Sequence, residues 1–285
     1  MVIQQLDRLS IHHLNKTFNQ AFSDYVLPMH VTVKQLAENI RRDGIDFRYS
    51  VGAFQEDQLV GFILQSLEEW NGVKTAYNGG TGVIPAYRGN RITRQLYDYI
   101  IPRLQAAGAE QCLLEVIATN QVAIRTYRAV GFEQKRIFTC YKAHLKDIPS
   151  LPGNQVPGIE IKEISLPDWN LVKSFWDYVP SWQYGIPSIR RLSGKISVLG
   201  AFERDQLVGY AAIIRNANRV AQFAVAESHR GLGIGHGLFY HLAQRASGPL
   251  VVINVEDTCA AANKFLRALG FTCFIKQLEM HKPLK

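Results

Sequence analysis

Four of the ten residues in HRGLGIGHGL, residues 229–238, are glycine, and a helical pattern follows them. A strand ending at Val225, then Arg230-Gly231-Leu232-Gly233-Ile234-Gly235, then a helix, would aim several backbone N–H groups at one point. Missing side chains let a bulky anion approach, and a helix N-terminus adds partial positive charge. Pyrophosphate suits such a cradle. The same glycines would also serve a plain turn with close helix packing, and similar loops occur in dinucleotide folds. A second version, YRGNRITRQL at 87–96, has Arg91 and Thr93 where the first has Gly233 and Gly235.

The elements that position these loops occur twice. GAFQEDQLVG at 52–61 and GAFERDQLVG at 200–209 agree at eight of ten positions. Arg88-Gly89 then matches Arg230-Gly231, and RAVGF at 128–132 matches RALGF at 267–271, in the same order. Co-linear anchors of this kind indicate a duplicated domain. The proline- and glycine-rich stretch DIPSLPGNQVPG, 147–158, interrupts both helical and strand periodicity, so the expected division is 1–148, a linker at 149–156, and 157–285.

Alternation in IRRDGIDFRYSVGAF and QLVGFILQSL predicts two strands, and Asn71-Gly72 predicts a tight hairpin into VKTAYNGGTGVI. After the loop, Ile92, Leu96, Ile100 and Leu104 mark the apolar face of a helix bending near Pro102 and stopping at Gly108. CLLEVIA then reads as a buried strand, and Asn120 opens a helix that ends at Gly131. The second copy follows suit with LVGYAAII, RVAQFAVA, VVINV and AAANKFLRALG. An antiparallel meander ahead of the glycine loop, without an alternating βαβ series, argues against a Rossmann or Walker nucleotide site. The expected class is α/β (α+β), two tandem domains, each a mixed, mainly antiparallel sheet flanked by helices.

Composition narrows the function classes. The 285 residues can fill two domain cores, and the formal charge of +8 divides as +3 for residues 1–150 and +5 for the rest. No basic tail or aromatic-interleaved basic face emerges, so nucleic acid is not an expected partner. No apolar run is long enough for a membrane helix, and MVIQQLDRLS lacks a signal-peptide core, so a cytoplasmic location is expected. Cys112, Cys140, Cys259 and Cys273 form no CxxC pair and read as buried, reduced thiols; the eight histidines form no HExxH, and no metal is expected.

Arg230-x-x-Gly233-x-Gly235 fits the Q/R-x-x-G-x-G/A loop of the acyl-CoA N-acyltransferases, and the chain resembles that GNAT superfamily over nearly its whole length, twice. VIPAYRG and AVAESHRG are similar to the end of the family's fourth strand, and NQVAIRTYRAVGF to its later helix and strand. The resemblance implies an acetyl-CoA-dependent N-acetyltransferase. Backbone near Val83 and Val225 would pair with the pantetheine amides, and splayed fourth and fifth strands would form the slot for that arm. The loops Arg88-Gly89-Asn90-Arg91-Ile92-Thr93 and Arg230-Gly231-Leu232-Gly233-Ile234-Gly235 would hold the pyrophosphate. An amine would attack the thioester directly.

The resemblance also implies a proton donor for the departing thiolate at Tyr127, with Asn120 at the start of its helix. The second copy has Leu266 and Cys259 in those places. Two readings follow. Either the first copy is catalytic, with Arg91 pairing with phosphate in place of a close backbone contact, or the second copy binds acetyl-CoA and water or another group protonates the thiolate. The first is the expected one, although Tyr127 also fits a core stripe and Arg91 a solvated helix start. Glu68, Glu69 and Glu115 are the carboxylates considered as a base, and none is assigned. The acceptor would be shaped by FNQAFSDYVLPMH and FWDYVPSWQYGIP, the latter bringing Trp176, Tyr178, Trp182 and Tyr184. A different-class alternative is an acyl-CoA-binding regulatory protein that turns nothing over.

Overall fold

The computed structural model describes residues 1–27, 29–148 and 156–284. The chain forms two compact units, one of Met1–Arg136 with the residues from Leu278 onward, the other of Ile137–Gln277. Most of the proline-rich join at 149–156 lies outside the described residues.

In the first unit the order is β1 (Val2–Gln5), α1 (Ile11–Ala21), α2 (Val33–Asp43), β2 (Val51–Gln55), β3 (Gln58–Trp70), β4 (Val73–Val83), α3 (Ile92–Ala106), β5 (Gln111–Ile117), α4 (Gln121–Ala129) and the start of β6 (Glu133–Ala143). In the second it is the rest of β6, β7 (Ile159–Ile164), α5 (Trp169–Lys173), α6 (Ile186–Arg191), β8 (Ile196–Glu203), β9 (Gln206–Ile214), β10 (Arg219–Val225), α7 (Ile234–Ala243), β11 (Leu250–Glu256), α8 (Ala260–Ala268) and most of β12 (Thr272–Pro283). The first unit's strands run β1-β2-β3-β4-β5, then the C-terminal part of β12; the second's run β7-β8-β9-β10-β11, then the C-terminal part of β6. Each sheet is therefore completed by a strand that the other repeat begins or ends.

Both meanders are antiparallel, whereas β4–β5 and β10–β11 are parallel. Asn71 and Gly72 turn the β3–β4 hairpin with φ of 51° and 79°, the positive pair that an Asn-Gly turn requires. The segment IRRD, expected in a strand, instead ends α2. Thr32 and Gln35 form a reciprocal capping box that starts this helix, and Gly44 at φ 69° stops it. Four-residue spacing of Leu36 and Ile40 thus prevails over the short alternation, and β2 begins only at Val51.

Leu14, Phe18 and Leu36 of α1 and α2 pack on Phe62 and Leu64 of β3. On the face covered by α3, Ile92, Leu96, Ile100 and Leu104 are all buried, and Pro102 lies within the helix. In the second unit α7 and α8 bury Leu238, Leu242 and Leu266 against the sheet, while α5 and α6 cover the other face with Val172 and Ile189. The repeated decapeptide ends in Gly61 and Gly209 for a packing reason. A Cβ at Gly61 would lie 2.9 Å from the Ile92 side chain, and one at Gly209 would lie 3.2 Å from that of Ile234. Glycine there lets the helix after each loop lie close against the meander.

Candidate active site

The parallel ladders are short, which opens a gap in each unit. β4 pairs with β5 only over Thr75–Asn78, and β10 with β11 only over Arg219 and Val220. A register shift at Asn78/Gly80 and another at Val220/Gln222 mark bulges on the outgoing strands. Bulges bend a strand and strengthen its twist, so β4 and β10 turn away from their neighbours beyond these points. Each leads, through a single 3-10 turn, to its loop arginine.

The loop arginines act in the same way in both units. Arg88 Nε donates to the Val83 carbonyl at 3.1 Å, and its terminal nitrogens reach Asp24 at 2.7 and 2.8 Å and the Ala21 carbonyl at 2.8 Å. Arg230 Nε donates to the Val225 carbonyl at 3.0 Å, and its terminal nitrogens reach Asp177 at 2.7 Å and the Phe175 carbonyl at 3.0 Å. These guanidinium groups fasten the strand ends to the segments after α1 and α5, and the Val83 and Val225 carbonyls are already engaged. Sequence reading missed Asp24 and Asp177. The signal was available: both copies read Phe-x-Asp-Tyr-Val, at 22–26 and 175–179.

The loops share a backbone course. Gly89 and Arg91 have φ of 83° and 54°; Gly231 and Gly233 have 79° and 89°. Arg91 therefore adopts the left-handed conformation that glycine favours, with its side chain exposed and no side-chain cap on α3. Asn90 donates to the Tyr87 carbonyl at 3.1 Å, Ile92 is buried and Thr93 half-buried. In the second loop Ile234 is buried and Leu232 projects into solvent. Gly235 has a packing role: a Cβ there would lie 2.9 Å from the Phe265 ring. Thr126 occupies the position of Phe265 in the first copy, where Thr93 stands in place of Gly235.

The polar groups of the two gaps lie on opposite faces of their sheets. In the first unit Asn78 donates to Thr81 at 2.7 Å and to the Tyr97 hydroxyl at 2.6 Å, on the side of α3. Tyr127 of α4 meets Tyr97 edge to face and interacts with the Thr81 hydroxyl. Burial, only partly offset by Thr81, pushes the Tyr127 hydroxyl up to about 12. Asn120 caps α4 by accepting from Ala123 N–H at 3.1 Å and lies within hydrogen-bonding reach of Tyr25. The corresponding face of the second unit is apolar: Phe223, Phe239, Phe265 and Leu266 stand in for Thr81, Tyr97, Thr126 and Tyr127. Of the glutamates considered, Glu115 approaches the Tyr77 hydroxyl at 3.4 Å, and Glu68 and Glu69 lie at the hairpin end of β3.

The second unit carries its polar groups on the face toward α5 and α6. Trp176 Nε1 donates to the Tyr210 hydroxyl at 2.7 Å, Tyr210 to Gln222 Oε1 at 2.8 Å, and Gln222 Nε2 to the Tyr184 carbonyl at 2.6 Å. Asn254 Nδ2 donates to Ser181 at 3.0 Å. Between these groups and the loop lies a cavity of about 640 Å³. Val225, Arg230, Gly231, Gly233 and Gly235 line one part, and Trp176, Tyr184, Tyr210 and Gln222 another.

Residues 11–132 match the model of the acetyltransferase (GNAT) family, and residues 185–281 match that of a GNAT acetyltransferase domain. The chain belongs to the GNAT acetyltransferase family. It is a tandem GNAT protein, as are solved structures with the same fold. A tandem GNAT protein from the clavulanic acid biosynthesis pathway is 14% identical, with a TM-score of 0.75 over 100% of this chain and 98% of that one. A GCN5-related N-acetyltransferase from Sphaerobacter thermophilus is 15% identical, also with a TM-score of 0.75, over 100% and 96%. At such identities the likeness shows the fold. No curated protein matches the sequence. GNAT membership makes acyl transfer the general chemistry, and among the described residues no helix is long and apolar enough to cross a membrane.

Proposed function

We propose that the chain is an acetyl-CoA-dependent N-acetyltransferase that holds its acyl donor in the C-terminal unit. The supporting observation is the cavity of about 640 Å³, which begins at the Arg230–Gly235 loop and follows the β10–β11 gap to an aromatic end. A chamber of this size is within the range of small-molecule sites, and its polar lining is sparse and placed. The cradle fits a pyrophosphate: Gly231 and Gly233 carry no side chain, and a Cβ at Gly231 would meet nothing within 4 Å. The loop N–H groups and the N-terminus of α7 would bind the anion, while the unpaired edge of β10 beyond Val220 would orient the pantetheine arm. Acetyl-CoA supplies the acyl group as a thioester. Backbone N–H groups at the gap would polarise its carbonyl, and the amine would attack directly.

A second reading puts transfer in the N-terminal unit, and the placement of Tyr127 favours it. Its hydroxyl interacts with Thr81 just past the β4 bulge, within the corresponding gap. A phenol held near 12 keeps its proton at every physiological pH, yet gives it up less readily than an ordinary tyrosine to a thiolate of lower basicity. The cavity that opens from the Arg230–Gly235 loop puts the C-terminal unit first.

Thiol release from acetyl-CoA across a panel of amines tests the proposal. Amine-dependent release, abolished by Gly233→Val and retained in Tyr127→Phe, is the expected result. Binding of acetyl-CoA without release across the panel would make the protein a non-catalytic acyl-CoA binder.

A further inference from the structure

The aromatic end of the cavity points to an acceptor class. Resting on the C-terminal reading above, we infer that the acceptor is an aromatic primary amine, held by its ring beside Trp176 and Tyr210 and acylated as the free base. Among the described residues lining the cavity, the one carboxylate is Asp177, and it is bound to Arg230 at 2.7 Å. The lining histidines, His229 and His236, flank the glycine loop in sequence. His229 approaches Ser228 at 2.8 Å and Glu203 at 3.5 Å, and His236 lies edge-on to Phe265. Arg230 and the two histidines thus sit with the phosphate cradle, and Lys264 lines the cavity from α8.

Several polar groups at the aromatic end are spent on one another. Trp176, Tyr210, Gln222 and the Tyr184 carbonyl form one chain of hydrogen bonds, and Asn254 is engaged by Ser181 and by Gln277. The rings of Trp176 and Tyr178 line this end beside that chain. The lining carboxylate, Asp177, is already paired with Arg230, so an alkylammonium would enter this end without a counter-charge of its own and would have to displace that pair to lose its proton to it. An amine whose lone pair is delocalised into an aromatic ring is neutral at physiological pH and needs neither.

The step then closes on its own atoms. The nitrogen lone pair attacks the thioester carbonyl carbon, the C–N bond forms and the C–S bond breaks. The proton lost from nitrogen passes to the departing thiolate, which leaves as the thiol. No protein acid or base is consumed, and Leu266 can stand where the first copy has Tyr127.

The test compares 4-methoxyaniline, phenethylamine, spermidine and a lysine peptide as acceptors with the full chain and acetyl-CoA. At pH 7 an alkylamine as basic as lysine is neutral in only about one molecule in 10³. Expected is preferred turnover of 4-methoxyaniline with a rate that is flat between about pH 6 and 9, against about tenfold per pH unit for phenethylamine. Calorimetry of 4-methoxyaniline into the CoA-loaded protein should show saturable binding, and spermidine none. Trp176→Ala should raise the KM for 4-methoxyaniline about tenfold with acetyl-CoA affinity unchanged, and Trp176→Phe, which keeps a ring, should restore most of it. Preference for spermidine, the peptide or phenethylamine at pH 7 would overturn the acceptor class and leave the proposed function standing, as would acetyl-CoA binding with no aromatic amine bound. Failure of acetyl-CoA itself to bind would overturn both.

Discussion

The Arg230 guanidinium meets the Asp177 carboxylate at 2.7 Å, and Arg88 meets Asp24 at the same distance in the other unit. Each arginine also holds the carbonyl at the end of its outgoing strand, Val225 or Val83. The first residue of each loop is therefore a tether between the anion cradle and the aromatic segment facing it.

Removing only the carboxylate should matter little for stability. All four side chains are more than a third exposed, so Asp24→Asn or Asp177→Asn should cost about 0–1 kcal/mol in urea denaturation. Arg230→Ala also orphans the Phe175 and Val225 carbonyls and should cost about 1–3 kcal/mol. Equal costs for Arg230→Ala and Asp177→Asn would show that the carbonyl bonds contribute nothing.

Loop substitutions should separate the two units. Gly233 sits at φ 89°, so Gly233→Val adds both strain and bulk at the cradle and should abolish acetyl-CoA binding to the C-terminal unit. Arg91→Gly should stabilise the chain by about 0.5–1 kcal/mol by relieving a left-handed arginine. If the Arg91 side chain meets phosphate, Arg91→Ala should weaken a second binding event by about 1–3 kcal/mol. Isothermal titration of the variants counts the sites.

Tyr127→Phe deletes a buried hydroxyl that interacts with Thr81 and should cost about 1 kcal/mol of stability with turnover unchanged. A fall in kcat of roughly 10²-fold would move catalysis to the N-terminal unit. Leu266→Ala opens a cavity at a fully buried site and should cost about 2–5 kcal/mol.

Hydrogen bonds from Lys276 at 2.8 Å and Thr139 at 2.6 Å hold the Asp257 carboxyl below its usual range. A depressed carboxyl contributes stability above its unfolded pKa of about 3.9, and the contribution is lost as pH falls through the lower folded value. Asp257→Asn should therefore lower stability at neutral pH and flatten the acid limb of the stability curve. A parallel acid limb in the variant would remove Asp257 from that role.

Thiol reactivity should follow burial. Cys112 and Cys140 are buried, and desolvation pushes the Cys112 thiol up to about 12, whereas Cys273 is exposed. An aromatic disulfide reagent at pH 8 should label Cys273 first and reach Cys112 only on unfolding. Rapid labelling of Cys112 in the folded chain would contradict the core placement.

Much of this protein was legible in its sequence because the signals are local or repeated. The paired decapeptides, the Asn71-Gly72 turn, the four-residue stripe from Ile92 to Leu104 and the cap at Asn120 each depend on neighbours in the chain, and the duplication repeated the decapeptide and the loop. The loop motif, too, is a local device. The cysteines were read as buried, which holds for Cys112 and Cys140, but Cys273 proved exposed. The α2 segment was misread because a few alternating residues at its end imitate a strand when the Thr32–Gln35 box far upstream is not weighed.

Tertiary structure decided the rest, since it depends on pairings that periodicity does not encode. Nothing local to GFTCFIKQLEMHKPLK indicates that its end completes the first unit's sheet. The bulge that parts β10 from β11 beyond Val220 shows only in the register. Tyr127 fitted both a core stripe and a proton donor in sequence, and only the fold shows the rings it meets, Tyr97 and Phe132, and the burial that raises its hydroxyl. Likewise, whether Trp176 and Tyr184 were core or cleft could not be read from composition, because an aromatic ring suits both. The folded chain places Trp176 and Tyr184 at the wall of the cavity and joins them through Tyr210 and Gln222, residues brought together from strands some 30 positions and more away. Sequence determines which groups are available; which of them face a common space is set by long-range packing, where burial and strand register are fixed together.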